Sequence, residues 1–322
     1  MGNYEMAVLY YEQVLENYRK CHPSDHQSLA EIYSSIASAY QCMSNYSMAL
    51  SFYEKAFEIH RKALPSDHPT LAANYNNIAA MHYSTGDYAM ALSFYDKALE
   101  IHRKSLPSDH PNLALNYNNI GQLYQSMGNN EMALSYLEKA LEIYRKSLPS
   151  DHSNLAVNYN NIGESYRFMG NYEMALSFYK KALEIHRKSL PSDHPNLALN
   201  YNNIALAHYS TGDYAMALSY LAKALEIHRK SLPSDHPNLA ANYNNIGQLY
   251  QSMGNNEMAL SYLEKALEIY RKSLPSDHPN LALNYNNIGL VHCSRGDYAM
   301  ALSFYEKALE IHRKSLPSDH PN

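Results

Sequence analysis

Three closely spaced asparagines are the most repeated polar signal in this chain. Asn116, Asn118 and Asn119 recur as Asn74, Asn76 and Asn77, as Asn158, Asn160 and Asn161, as Asn200, Asn202 and Asn203, as Asn242, Asn244 and Asn245, and as Asn284, Asn286 and Asn287. A primary amide donates and accepts at once, so the chemistry on offer is bidentate hydrogen bonding to a peptide backbone. Bond-making chemistry has weaker support. The 17 histidines fall in a repeated Asp-His-Pro turn (His68, His110, His194), near the end of a repeated segment (His60, His102, His186), or in place of a tyrosine (His82, His208, His292). No HExxH and no zinc-finger spacing is present. The repeated Ser-Asp-His is three neighbours in one turn, whereas a triad needs them converging from different places. A glycine-rich phosphate loop and a nucleophile elbow are also missing. The expectation is therefore a non-enzyme with no cofactor and no metal.

The elements that must position these asparagines follow from the repeat. Leu-Pro-Ser-Asp-His begins at Leu64, Leu106, Leu148, Leu190, Leu232, Leu274 and Leu316, a period of 42 residues. A fixed period of this size points to a solenoid built from one supersecondary unit. Within Pro111–Ser150, Leu113, Tyr117, Ile120, Gly121 and Tyr124 share one face of a helix, termed A. Met127-Gly128 interrupts it. Ala133, Leu137, Ala140, Tyr144 and Leu148 then mark one face of a second helix, B. Asp87, Asp213 and Asp297, or Asn in other repeats, stand where an N-cap of helix B belongs. Pro149 ends helix B, and Ser150-Asp151 are expected to cap the next helix A. Glu142 and Lys146 form a surface pair four residues apart. Gly121, Ala133 and Ala140 are small enough to let the two helices approach closely.

This pattern resembles the tetratricopeptide repeat. Ile120, Gly121, Tyr124, Gly128, Ala133 and Ala140 fall at that family's positions, Tyr117 replaces its tryptophan and Leu137 its phenylalanine. Its closing proline is displaced from Arg145 to Pro149. The long period and the phrases DHPNLA and YNNIG look like the repeats of kinesin light chains. The resemblance implies an all-α fold, a right-handed superhelical solenoid of antiparallel helix pairs. The single array spans 1–322: a lone helix B over 1–21, helix pairs over 27–64, 69–106, 111–148, 153–190, 195–232, 237–274 and 279–316, and the start of a further repeat over 317–322.

Composition adds exclusions. The chain has 322 residues, 46% hydrophobic and 18% charged, with 31 Tyr and no Trp. Its net charge is −5. Cations cluster in helix B, apart from Arg167 and Arg295, so no basic stripe for nucleic acid runs along helix A. No apolar run is long enough to span a membrane. Cys21, Cys42 and Cys293 are scattered, which points to a reducing compartment, the cytoplasm, with a cytoskeletal association implied by the resemblance. The first helix A is divergent, with Ser34 and Ser35 in place of the Asn pair and Ser44 in place of the turn glycine. The half-repeats at both ends lack polar caps and read as a piece of a longer protein. Pro107–Leu148 and Pro233–Leu274 differ only at Leu115 versus Ala241. Sameness between repeats then says little, and the positions that vary say more.

Asparagine is a mediocre helix former, costing about 0.6 kcal/mol relative to alanine. Three in each helix A need a reason. Asn116 and its counterparts are expected to fix stacking between repeats. The pairs Asn76 and Asn77, Asn118 and Asn119, Asn160 and Asn161, Asn202 and Asn203, Asn244 and Asn245, and Asn286 and Asn287 are expected opposite the buried tyrosines. In tetratricopeptide arrays that face lines the concave groove, and in kinesin light chains groove asparagines hold cargo peptides. Specificity is expected from the variable Gln122, Glu164, Arg167, Phe168, Leu206, Tyr209 and Gln248. The reading is a scaffold that binds protein or peptide ligands, with no nucleic acid and no membrane insertion. The resemblance implies a cargo adaptor that meets a motor heavy chain or cargo through regions outside this chain. The alternatives are a regulatory array attached to an enzyme or nucleotide-binding domain outside the chain, and a structural spacer.

Overall fold

The computed structural model describes residues 2–21 and 26–315. Fifteen helices and no strand occur among the described residues. They fall into two compact units, 1–150 and 151–322. The first holds α1 (Gly2–Cys21), α2 (His26–Cys42), α3 (Tyr46–Ala63), α4 (Pro69–Ser84), α5 (Tyr88–Ser105), α6 (Pro111–Ser126) and α7 (Asn130–Ser147). The second holds α8 (Ser153–Phe168), α9 (Tyr172–Ser189), α10 (Pro195–Ser210), α11 (Tyr214–Ser231), α12 (Pro237–Ser252), α13 (Asn256–Ser273), α14 (Pro279–Ser294) and α15 (Tyr298–Ser315). Even-numbered helices are the A helices. Within each unit every A helix packs on the B helix that follows it, as α6 on α7 and α12 on α13. Inside a unit each B helix in turn meets the next A helix, as α5 meets α6 and α9 meets α10. In chain order α1 is a B helix and seven A–B pairs follow it; the expected start of a further repeat at 317–322 lies outside the described residues.

Helix ends show why the punctuation recurs. The turn glycine Gly128 has φ +78°, a left-handed conformation that it adopts without strain because it has no Cβ. Its neighbour's amide, Asn129 N, then reaches back to Tyr124 O at 2.9 Å and closes the end of α6. Asn129 Oδ1 accepts from Met132 N at 3.1 Å, and Asp87 Oδ1 accepts from Met90 N at 3.2 Å, so the expected B-helix caps are in place. The caps of the A helices differ from expectation. Neither Ser nor Asp of the turn serves; His110 Nδ1 accepts from Asn112 N at 3.1 Å, and His152, His194, His236 and His278 do the same for their helices. The proline at N1 removes one amide, and the imidazole nitrogen reaches the next one. Helix B stops at Ser147, before the proline, with Leu148 N bonded to Tyr144 O at 2.9 Å.

Packing inside a pair is set by one close approach. A Cβ added to Gly121 would lie 2.7 Å from Leu137 Cγ, and one added to Gly163 would lie 2.7 Å from Tyr179 Cε1. Leu137 and Tyr179 are fully buried, filling the space the glycines leave. This rigid packing holds the A-helix surface residues at fixed separations.

Candidate functional site

The outward residues of an A helix recur at helical spacing. On α10 they are Leu199, Asn203, Leu206 and Tyr209, of which Leu199 and Tyr209 are exposed. Opposite them on α12 stand Asn245, Gln248 and Ser252. Four residues expected at the site converge here: Leu206 and Tyr209 of α10 with Asn245 and Gln248 of α12. They rim a cavity of ≈ 30 Å³ whose floor is Ala205, Ala217, Leu221 and Leu249. That volume accommodates a group of about methyl size. Tyr209 and Ser252 share a hydroxyl hydrogen bond of 2.8 Å that fixes the rim, and Tyr83 and Ser126 do the same in the first unit. The floor residues could have been found in the sequence. Ala205 replaces the Gly121-type residue, and Leu221 lies sixteen residues after it, just as Leu137 follows Gly121.

The asparagine triplet divides into distinct roles. Asn116, Asn158, Asn200 and Asn284 are fully buried, as expected for residues that fix stacking. His102 Nδ1 donates to Asn116 Oδ1 at 2.6 Å, and Asn116 Nδ2 donates to Asn76 Oδ1 at 2.9 Å. In the second unit His186 Nδ1 donates to Asn200 Oδ1 at 2.6 Å, and Asn200 Nδ2 donates to Asn160 Oδ1 at 3.0 Å. Each relay ties a B helix to two A helices. The B-helix histidines are therefore buried members of a polar chain. Burial pushes the imidazole pKa of His102 and His228 down, against the pull of their asparagine partners. The relay was readable as a constant spacing of fourteen residues, from His60 to Asn74, His102 to Asn116, and His186 to Asn200.

This chemistry corrects the placement of the first asparagine of each pair. Asn118, Asn160 and Asn244 are buried, as hidden as Tyr117 on the supposed opposite face. Asn76, Asn160 and Asn244 accept from the stacking asparagine of the next repeat, and the Asn202 and Asn242 amides lie 3.2 Å apart in the corresponding place. Asn286 is half-buried beside them. An amide committed in this way holds repeats together, because it already bonds to the neighbouring repeat inside the array. The second asparagines, Asn77, Asn119, Asn161, Asn203, Asn245 and Asn287, are all half-exposed. Of these, Asn287 also donates to Asn244, at 2.9 Å. Gln122 is likewise half-exposed, at the position of Gln248.

The charged residues of α8 face one another. Arg167 donates from Nε to Glu164 Oε2 at 3.1 Å and makes a second bond to Oε1, while Tyr179 OH donates to Glu164 Oε2 at 2.6 Å. Burial, with the Glu164 carboxylate next, drives the Tyr179 pKa far up, so the phenol stays protonated. The Arg167 guanidinium also lies over the Phe168 ring, 4.4 Å from its centroid, and Phe168 is exposed. Arg167 and Glu164 thus neutralise each other and present an aromatic shelf with little net charge.

The histidines that replace a helix A tyrosine are packed as aromatics. His82 stacks on Phe94 and His208 on Tyr220 at centroid distances of 5.5 and 5.7 Å, where Tyr124 stacks on Tyr136 in another repeat. Among the described residues no group of three or more His, Cys, Asp or Glu has the geometry to hold a metal. No described helix is long and apolar enough to cross a membrane.

The profile of one protein family, described as tetratricopeptide repeat, matches residues 1–62, 70–146, 154–230, 198–272 and 238–314. No curated protein sequence matches the chain. Among solved structures, the nearly identical repeats of a putative kinesin light chain from Podosopora anserina are 25% identical, with a TM-score of 0.54 over 65% of this chain and 99% of that one. BtubC from P. vanneervenii is 24% identical, with a TM-score of 0.58 over 73% of this chain and 92% of that one. The apo quorum sensor NprR from B. thuringiensis is 16% identical, with a TM-score of 0.75 over 96% of this chain and 83% of that one.

Proposed function

This chain belongs to the tetratricopeptide repeat family, and from that premise we propose that it is a scaffold whose A-helix faces bind peptide segments of partner proteins. The observation that carries the reading is the rimmed cavity of the second unit. Leu206, Tyr209, Asn245 and Gln248 combine an apolar socket with two primary amides at its edge. A peptide side chain of small apolar type enters the socket, and the amides take the flanking backbone N–H and C=O groups. Asn203 extends the same contact along α10, and Asn77 and Asn119 offer amides of the same kind within the first unit. The Arg167–Phe168 shelf adds an aromatic contact and little charge.

The adaptor role follows from the same reading. Similarity to the kinesin light chain repeats supports a cargo-binding part for this scaffold, in the cytoplasm, beside the cytoskeleton. The thiols of Cys42 and Cys293, both free, accord with a reducing compartment. The unbroken 42-residue register supports treating residues 1–322 as one array.

The test is a peptide-display selection on the intact chain, followed by selection on Leu206→Glu. The expected result is enrichment of peptides with a small aliphatic residue, lost in the variant while its circular dichroism is unchanged. Enrichment of the same peptides by both proteins would overturn the assignment.

A further inference from the structure

The B helices carry a second pattern that the A-helix face does not use. One outward position is acidic in six of the eight B helices: Glu12, Glu54, Asp96, Glu138, Glu264 and Glu306. In two consecutive B helices of the second unit it is Lys180 and Ala222 instead. The change alters a surface cleft that recurs with the repeat. On α5 the cleft is lined by Asp96, Leu99, Glu100, Arg103, Lys104 and Tyr136, two cations against two carboxylates. On α9 its counterpart is lined by Lys180, Leu183, Glu184, Arg187 and Lys188, three cations against one carboxylate, with a volume of ≈ 460 Å³. On α11 the next one, of ≈ 570 Å³, has Arg229 and Lys230 against Glu226, with Tyr250 and Tyr262 in its wall.

The cations of α9 are also less engaged than those elsewhere. Arg103, Arg229 and Arg271 each donate to a tyrosine hydroxyl, at 2.7, 2.9 and 2.9 Å. No hydrogen bond or ion pair to the Arg187 guanidinium or the Lys180 amine is seen among the described residues. The one carboxylate of the cleft, Glu184, is taken by Lys188 at 2.7 Å. The Lys230 amine on α11 feels Glu226 and Asp193, so the unbalanced charge is concentrated at Lys180 and Arg187. All three cationic side chains of the α9 cleft are exposed.

We infer that the B-helix face of α9 and α11 is a second docking surface, separate from the A-helix face, and that it takes an acidic peptide segment of a partner protein. Charge complementarity selects the sign of the ligand. The leucine floor and the tyrosine wall favour a chain that alternates carboxylates with apolar residues. The apolar floor and wall favour a peptide over a nucleic acid, whose charged backbone has nothing to place on leucine side chains. The scaffold then holds two ligands at once, one on each face.

The experiment uses the full chain and a fluorescein-labelled synthetic peptide of glutamate pairs separated by leucine, read by anisotropy at low and high salt. Lys180→Glu with Ala222→Glu restores the residue that sister helices carry, so these helices tolerate it; circular dichroism checks the fold. The expected result is salt-sensitive binding by the native chain, weakened about tenfold by the double variant and several-fold by Arg187→Gln. Asn203→Ala with Asn245→Ala leaves this binding unchanged, which separates it from the A-helix site. The inference fails if the native chain does not bind the peptide at low salt, if the charge variants bind as well as the native chain, or if the asparagine variants abolish binding. It also fails if a thymidine oligonucleotide of equal charge binds more tightly than the peptide.

Discussion

Replacing Asn200 with alanine separates the structural asparagines from the exposed ones. Asn200 is fully buried, and its amide is the middle of a chain from His186 to Asn160. Removing it strands the His186 Nδ1 proton and the Asn160 Oδ1 lone pair, each in a buried setting. An unpaired buried polar group costs about 1–3 kcal/mol. Alanine returns about 0.6 kcal/mol through its better helix propensity. The expected net cost is about 1.5–5 kcal/mol, felt most in α9 and α10 because repeats couple to their neighbours. Asn203, three residues on and half-exposed, should change stability by less than about 0.5 kcal/mol when replaced. Native-state hydrogen exchange reads both variants helix by helix. Exchange in α9 and α10 should speed up by tenfold or more for Asn200→Ala, with little change for Asn203→Ala. Equal effects from the two substitutions would refute the division of the triplet.

Three further outcomes are expected. Leu137→Ala should cost about 2–5 kcal/mol, because the side chain is fully buried against Gly121, and should leave peptide affinity untouched; an unchanged denaturation curve would contradict it. Ser44 holds φ +57°, where every other repeat has a turn glycine near +78°, so Ser44→Gly should raise stability by about 0.5–1 kcal/mol in urea unfolding, and a loss would contradict this. Burial lowers the pKa of His102 and His228 in the folded chain, so the unfolded chain takes up protons first as pH falls. Their contribution is complete above the unfolded value of about 6.5 and is lost as pH drops from there toward the folded values. Urea midpoints at pH 7.5 and 5.5 should therefore fall on acidification, and should fall less in His102→Tyr with His228→Tyr, since Tyr144 and Tyr270 occupy this position elsewhere.

The fold was readable because its determinants are local and repeated. Periodicity gave both helices of each pair, and Gly128 and Asn129 marked the turn between them. Gly121 facing Leu137 was visible as a small residue paired with a large one. The site was only partly readable, for a geometric reason. Asn118 and Asn119 are adjacent on a helix, some 100° apart, and periodicity alone places both on the polar side. The neighbouring repeat decides the matter: Asn116 and Asn200 approach from the next A helix and draw the first asparagine of the preceding pair inward. The cap supplied by His110 was missed because serine and aspartate in the same turn are the commoner caps. The pairing of Glu164 with Arg167 was legible as an i, i+3 spacing, but the third partner, Tyr179, comes from the other helix of the pair.

The most direct test of the peptide-binding account is a calorimetric titration of a display-selected peptide into the native chain and into Asn203→Ala with Asn245→Ala. These two half-exposed amides lie on the A-helix face, and Asn245 rims the cavity. Each lost hydrogen bond is worth about 1 kcal/mol, so the pair should weaken binding about 30-fold. The account predicts that loss in a variant whose circular dichroism and unfolding match the native chain. Unchanged affinity in such a folded variant would contradict it.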